Sequence, residues 1–285
     1  MKWRNARRST NVEDRRGMAG GGLKLGLGGI GAVIVIGLLL GRNPLEMLGL
    51  VAQMQQTSAP PADGTAAPPG DDEAAQFVAS ILGETEDVWS AIFTASGQEY
   101  QPPTLVLFSG QVDSACGGAS AAAGPFYCPG DQKVYIDLGF FQQMEGRLGG
   151  GGDFAEAYVI AHEVGHHVQT LTGVAGRVND ARRRGAQVEG DGGLLVRQEL
   201  QADCYAGLWA YHAERRHAWL EAGDVEEALN TATAIGDDTL QRQSQGAVVP
   251  DAFSHGSAAQ RVRWFRAGFE SGDPARCDTF AADPL

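Results

Sequence analysis

Outside its first 24 residues the chain has no surplus of basic charge, and that lack narrows its partners. Those 24 residues carry seven Lys or Arg (Lys2, Arg4, Arg7, Arg8, Arg15, Arg16, Lys24) against Glu13 and Asp14, a net of +5. The whole chain stands at −13, which leaves −18 on the remainder. An acidic body lacks the basic face that nucleic acid requires, so no nucleic-acid partner is expected. Internal repeats are absent as well, which excludes a solenoid.

Long apolar runs are scarce. One stretch, LGLGGIGAVIVIGLLLG at 25–41, has 17 residues without a charge. At about 1.5 Å per residue it reaches across a thin bilayer. No A-x-A cleavage site follows it; Arg42, Asn43 and Pro44 do, which disfavours a removable signal peptide. The expectation is a single-pass transmembrane helix. The positive-inside rule then puts residues 1–24 in the cytoplasm as a basic tail and the remainder in a periplasm or extracellular space. Residues 42–73 read as a juxtamembrane segment and a Pro/Ala/Gly linker with almost nothing apolar to bury. The main domain is expected at 74–285.

Cysteine is also scarce. The four residues Cys116, Cys128, Cys204 and Cys277 are an even number, and an oxidising compartment permits two disulfides. Cys116 and Cys128 flank a short Gly/Ala-rich loop, so 116–128 with 204–277 is the expected pairing among the three possible.

Within the domain, apolar residues at helical spacing predict a helix over 74–94, with Gly83 weakening its middle. TLVLF at 104–108 and QKVYIDLGFF at 132–141 predict strands, the second running into a helix. Asp153 and Glu156 fit a capping box for a helix that runs to Thr172, with Gly173 beyond it. Further helices are expected at 194–218, after Asp224 with Glu227 as its cap, and from Ser257, with Val262, Phe265 and Phe269 facing inward. The fold class is α+β, predominantly helical.

The chemistry concentrates in AHEVGHHVQ, 161–169. His162 and His166 are four apart on a predicted helix and share a face, so both imidazoles can reach one zinc. Glu163 lies beside that pair, placed to take a proton from a water. His167 is about 100° further round the helix and is expected to support rather than ligate. Gly165 and Ala161 keep the helix thin for a close neighbour. A third ligand is missing from the stretch. The continuation H-E-x-x-H-x-x-G-x-x-H fails, because Gln169 and Thr172 stand where Gly and His would be required. RQELQADCYAG at 197–207 supplies an alternative: Glu199 as the third ligand, and Asp203, four residues on, as acceptor for the outer N–H of His162.

HEVGHHVQ followed by ELQADCYAG resembles a gluzincin-type zinc metallopeptidase. With GPFYCPGDQKVYIDLGFF and SHGSAAQRVRWFRAGF added, the chain resembles the bacterial putative neutral zinc metallopeptidase family over nearly its whole length. That resemblance implies a zincin-like fold, one Zn²⁺ per chain and a sheet edge able to hold an extended peptide. It implies no particular substrate. A donor for the oxyanion of amide hydrolysis is still needed; His255 is the first choice, with Tyr205 and Tyr127 behind it. The expected activity is peptide-bond hydrolysis, with His162, His166 and Glu199 on zinc and Glu163 as general base. Two alternatives stay open: a non-catalytic, membrane-tethered zinc-binding protein, and a zinc hydrolase of a non-protein amide such as one in the cell wall.

Overall fold

The computed structural model describes residues 1–17, 72–121, 124–147 and 151–285. Its elements, in chain order, begin with strand β1 (Val12–Asp14), helix α1 (Glu73–Ala95) and strands β2 (Thr104–Phe108), β3 (Gln111–Ser114), β4 (Gly117–Ser120), β5 (Phe126–Cys128) and β6 (Lys133–Asp137). Helices follow: α2 (Gly139–Arg147), α3 (Asp153–Leu171), α4 (Val174–Arg183), α5 (Leu194–His217), α6 (Asp224–Ala234), α7 (Asp237–Gln245) and α8 (Ala258–Ser271). The α+β class, dominated by helix, is as expected.

One sheet has the order β1-β2-β6-β5, with β1, β2 and β6 parallel and β5 antiparallel at one edge. The period-2 alternation of a strand divides its residues between two faces. Leu105, Leu107, Val134 and Ile136 enter the main core with the helices, whereas Val106, Phe108 and Tyr135 pack with Val112 of the β3–β4 hairpin. Being covered on both faces explains why β2 reads as an unbroken apolar run.

The helices hold the site. Gly165 on α3 faces α5: a Cβ there would lie 3.1 Å from Ala202 Cα, so glycine allows the close approach. Helices α5 and α8 meet still more tightly, since a Cβ on Gly207 would lie 2.0 Å from the Phe265 carbonyl oxygen. Both disulfides pair as expected, Cys116–Cys128 and Cys204–Cys277. The second ties α5 to the 3₁₀ turn Pro274–Cys277.

Several local expectations are corrected. The capping box at Asp153 is absent: Gly152 is the N-cap without a side-chain bond, because the Asp153 carboxylate turns to the Met1 ammonium at 2.8 Å. Glu227 caps α3 from outside, accepting from Phe154 N at 3.2 Å. That engagement removes Glu227 from its own helix, and α6 begins at Gly223 without a side-chain cap. On α8, where Ser257 and Gln260 do form a capping box, the buried face is Arg261, Trp264, Phe265 and Gly268. It is rotated from the expected Val262, Phe265 and Phe269, and the rotation brings an arginine inward. Domain residues also begin earlier than 74, since Asp72 caps α1 by accepting from Ala75 N at 3.0 Å.

Residues 1–24 are expected to form a basic cytoplasmic tail; of these, residues 1–17 pack on the domain. Trp3 is buried against Phe77, with ring centroids 5.3 Å apart, and β1 joins the sheet. The physical reason is charge pairing: Arg4 meets Glu73, Arg7 meets Glu86 and Asp87, and Arg16 meets Asp14 and Asp72. Residues 18–71, which contain the expected span 25–41 and almost all of the segment 42–73, lie outside the described residues. Among the described residues no helix is long and apolar enough to cross a membrane.

Glu156, on the first turn of α3, gives a test by pH. Burial, then Asp153 and Glu145, push its carboxyl up to about 7 from 4.5. Between those values the unfolded chain has released this proton and the folded chain keeps it. Stability is therefore lost as pH rises through that window and the loss is complete above it. Glu156→Gln should melt higher than the parent at pH 8 and show no such advantage at pH 4; equal melting temperatures at pH 8 would refute this.

Candidate metal centre

His162 and His166 lie one turn apart on α3, with ring centroids 4.8 Å apart. Glu199, on α5, faces both: its Oε2 is 3.2 Å from His162 Nε2 and its Oε1 is 3.4 Å from His166 Nε2. One ligand atom from each of the three residues lies within 4.8 Å of the others. Tetrahedral zinc with bonds of about 2.0–2.2 Å separates its ligand atoms by roughly 3.3 Å, and two His with one Glu is a donor set that leaves a position open. The three residues fit zinc in both spacing and chemistry.

Electrostatics agree with a cation site. Burial alone would lower both histidines, but Asp203 and Glu199 outweigh it at His162, pushing it up to about 10, and Glu199 raises His166. Burial opposes ionisation of Glu199, yet the two imidazoles hold its carboxyl well below the usual range. Loading a metal here displaces protons.

Each histidine is oriented by its other nitrogen. His162 Nδ1 donates to Asp203 Oδ1 at 2.8 Å, as expected from the sequence. Asp203 is fully buried and accepts three further bonds: Tyr158 Oη at 2.6 Å, and Arg261 through Nε and Nη2 at 2.9 Å each. Burial opposes its charge, but Arg261 and His162 bring its carboxyl down to about 2. His166 Nδ1 donates to Gln169 Oε1 at 2.9 Å, and Gln169 Nε2 donates to Gln198 O at 2.7 Å and Gln201 Oε1 at 3.1 Å.

His167 faces away from the cluster, as expected. Its Nε2 donates to Gln101 O at 2.6 Å, because a carbonyl can only accept, which leaves Nδ1 to accept from Tyr127 Oη at 3.1 Å. This bond joins α3 to β5. It also commits the Tyr127 proton, which weakens Tyr127 as an oxyanion donor although it lines the cleft. Tyr205 is corrected outright: it packs edge-on to Trp89 at 5.1 Å and lines a different groove.

His162, Glu163, His166, Glu199 and His255 share one cleft of about 430 Å³. The Glu163 carboxylate makes no hydrogen bond among the described residues. His255 is half-exposed, and its Nδ1 lies 3.2 Å from Asp237 Oδ1. Asp237 Oδ2 also accepts the backbone N–H of Ser254, His255 and Gly256, fixing the loop. The hydrogen bond to Asp237 raises the His255 pKa above its ordinary value.

Sequence reasoning missed Tyr158, Arg261 and the role of Gln169. Gln169 was findable, three residues past His166 on the same helix. Arg261 was not, because an arginine in a polar helix start reads as solvent-facing.

The chain belongs to the family described as putative neutral zinc metallopeptidase, whose model matches residues 1–280. It is 48% identical to the uncharacterised protein YpfJ of Escherichia coli strain K12, over 98% of this chain and 99% of that protein. It is 46% identical to the uncharacterised protein Rv2575 of Mycobacterium tuberculosis strain H37Rv, over 75% of this chain and 74% of that one. No solved structure matches it.

Proposed function

We propose that the chain hydrolyses peptide bonds with one zinc held by His162, His166 and Glu199. The observation that carries this reading is the unengaged Glu163 carboxylate in the same cleft as a convergent His₂Glu set. Zinc bound there supplies a Lewis acid that acidifies water and polarises a carbonyl. Glu163 takes the proton of the attacking water and passes it to the leaving amine. His255, whose Nδ1 is held by Asp237, donates to the oxyanion. Asp203, Tyr158 and Arg261 hold the His162 ring in place.

The cleft supports an extended peptide as substrate. Strand β5 is an edge strand that pairs only with β6 among the described residues, so its outer backbone groups can pair with a peptide. The cleft is also lined by apolar Phe140, Val159, Ile235 and Leu240, which accept apolar side chains. A purely structural zinc site normally has four protein ligands; this set has three.

The test uses the full chain, before and after a chelator, with metal analysis and screens against protein, peptide and peptidoglycan substrates. One zinc per chain and zinc-dependent peptide cleavage are expected, and Glu199→Ala should lose both. Zinc-dependent release from peptidoglycan alone would replace the peptidase reading with a cell-wall hydrolase. Full zinc occupancy without hydrolysis of anything would leave a binding protein.

A further inference from the structure

We infer that residues 1–17 are a permanent part of the metallopeptidase domain and lie on the same side of any membrane as that domain. The apolar run at 25–41 therefore does not part them. Nothing in this depends on the metal site.

Backbone pairing is the first ground. Strand β1 runs parallel to β2 in the register Val12–Leu105, Glu13–Val106 and Asp14–Leu107. The pairing extends at both ends, where Leu105 N donates to Asn11 O at 2.8 Å and Arg15 N donates to Leu107 O at 2.7 Å. Without β1, a strand whose Leu105, Val106 and Leu107 are fully buried would present an unpaired edge. Buried backbone groups left without partners are strongly disfavoured.

Glu86 is the second ground. This carboxylate, 8% exposed on α1, accepts from Ser9 Oγ at 2.5 Å, Asn11 Nδ2 at 2.7 Å and Arg7 Nη2 at 2.8 Å. All three donors belong to residues 7–11. With that segment across a membrane, Glu86 would lose all three of these donors together with the cover that buries it.

Gly83 is the third and comes from the sequence itself. Glycine inside a helix costs about 1 kcal/mol relative to alanine, and α1 carries one mid-length. A Cβ there would lie 2.7 Å from the Arg7 carbonyl oxygen and 3.1 Å from Ser9 N. Glycine stands at 83 because the N-terminal segment crosses the helix at that point.

The charges complete the case. Lys133 Nζ on β6 lies 2.7 Å from Glu13 Oε1, and Arg16 Nη1 lies 2.6 Å from Asp72 Oδ2. Gly17 and Asp72, which flank the stretch 18–71, thus belong to one body. Arg4, Arg7 and Arg16, which a positive-inside count assigns to the cytoplasm, are partners of this domain's own carboxylates.

The experiment compares two positions in the full-length chain. Thr10 and Glu226 are both exposed, and all four native cysteines are disulfide-bonded. Thr10→Cys and Glu226→Cys each introduce a single reactive thiol. Bacterial spheroplasts expressing either variant are treated with a membrane-impermeant maleimide before and after permeabilisation. The two positions should label alike, both before permeabilisation or both only after it. One labelling before and the other only after would overturn the inference. A second measurement needs no substitution: a zero-length carbodiimide applied to membranes holding the unaltered chain should join Glu13 to Lys133, read as a cross-linked peptide by mass spectrometry. Absence of that link would also overturn it.

Discussion

Glu163→Gln should bind one zinc per chain as the parent does and lose about 10²–10⁴ in kcat, the range for removing a positioned general base. Glutamine keeps the shape of glutamate and sits at a position whose carboxylate makes no hydrogen bond among the described residues, so folding has nothing to lose. The three metal-facing residues His162, His166 and Glu199 are untouched by the change. An amide cannot accept a proton from water at neutral pH, and that alone separates the variant from the parent. Metal content by mass spectrometry and kcat on a peptide cleaved by the parent decide the matter. Residual activity above a tenth of the parent's would remove Glu163 from the reaction, and loss of zinc would make it a ligand instead.

Arg261→Met should lower unfolding stability by about 3–5 kcal/mol, the usual result of breaking a buried ion pair from one side. It should also weaken zinc binding by about 10–100-fold, as removal of a ligand's supporting partner does. Arg261 is 4% exposed and Asp203 is fully buried, and the arginine supplies the only guanidinium bonded to that carboxylate among the described residues. Stability and affinity separate in the double variant Arg261→Met with Asp203→Leu. Apolar replacement of both partners removes the stranded charge and returns most of the stability, while His162 Nδ1 now loses its acceptor Asp203 and affinity stays low. Denaturant melts with zinc competition titrations measure the two quantities. Affinity that recovers together with stability in the double variant would show that Arg261 supports the fold and not the metal ligand.

What could be read in advance was what helical spacing encodes. His162 with His166, and Glu199 with Asp203, are i,i+4 pairs, and a 3.6-residue period places each pair on one face whatever the rest of the chain does. Both strands around Leu105 and Tyr135 and the Ser257 cap were legible for the same local reason. The failures are all long-range. Asp153 looked like a cap until a distant amine drew its carboxylate away, and Glu227 was taken by a different helix. Tyr205 lies six residues past Glu199 and two past Asp203 but packs against Trp89. Arg261 reaches Asp203 from 58 residues away, and no pattern within either segment announces the pair. Arg4 and Arg7 were counted as free charge because their partners Glu73 and Glu86 lie 69 and 79 residues downstream.

The β1–β2 pairing sets a clock on the making of this protein. Residues 12–14 leave the ribosome about ninety residues before Leu105–Leu107 exist to receive them, a wait on the order of 5–20 s at roughly 5–20 residues per second. For most of that interval Trp3, Arg4 and Arg7 lack their partners, since Phe77, Glu73 and Glu86 are translated only in its later part. The first strand synthesised thus waits for the second before it can pair. A nascent chain stopped short of residue 104 would carry β1 without the strand that receives it.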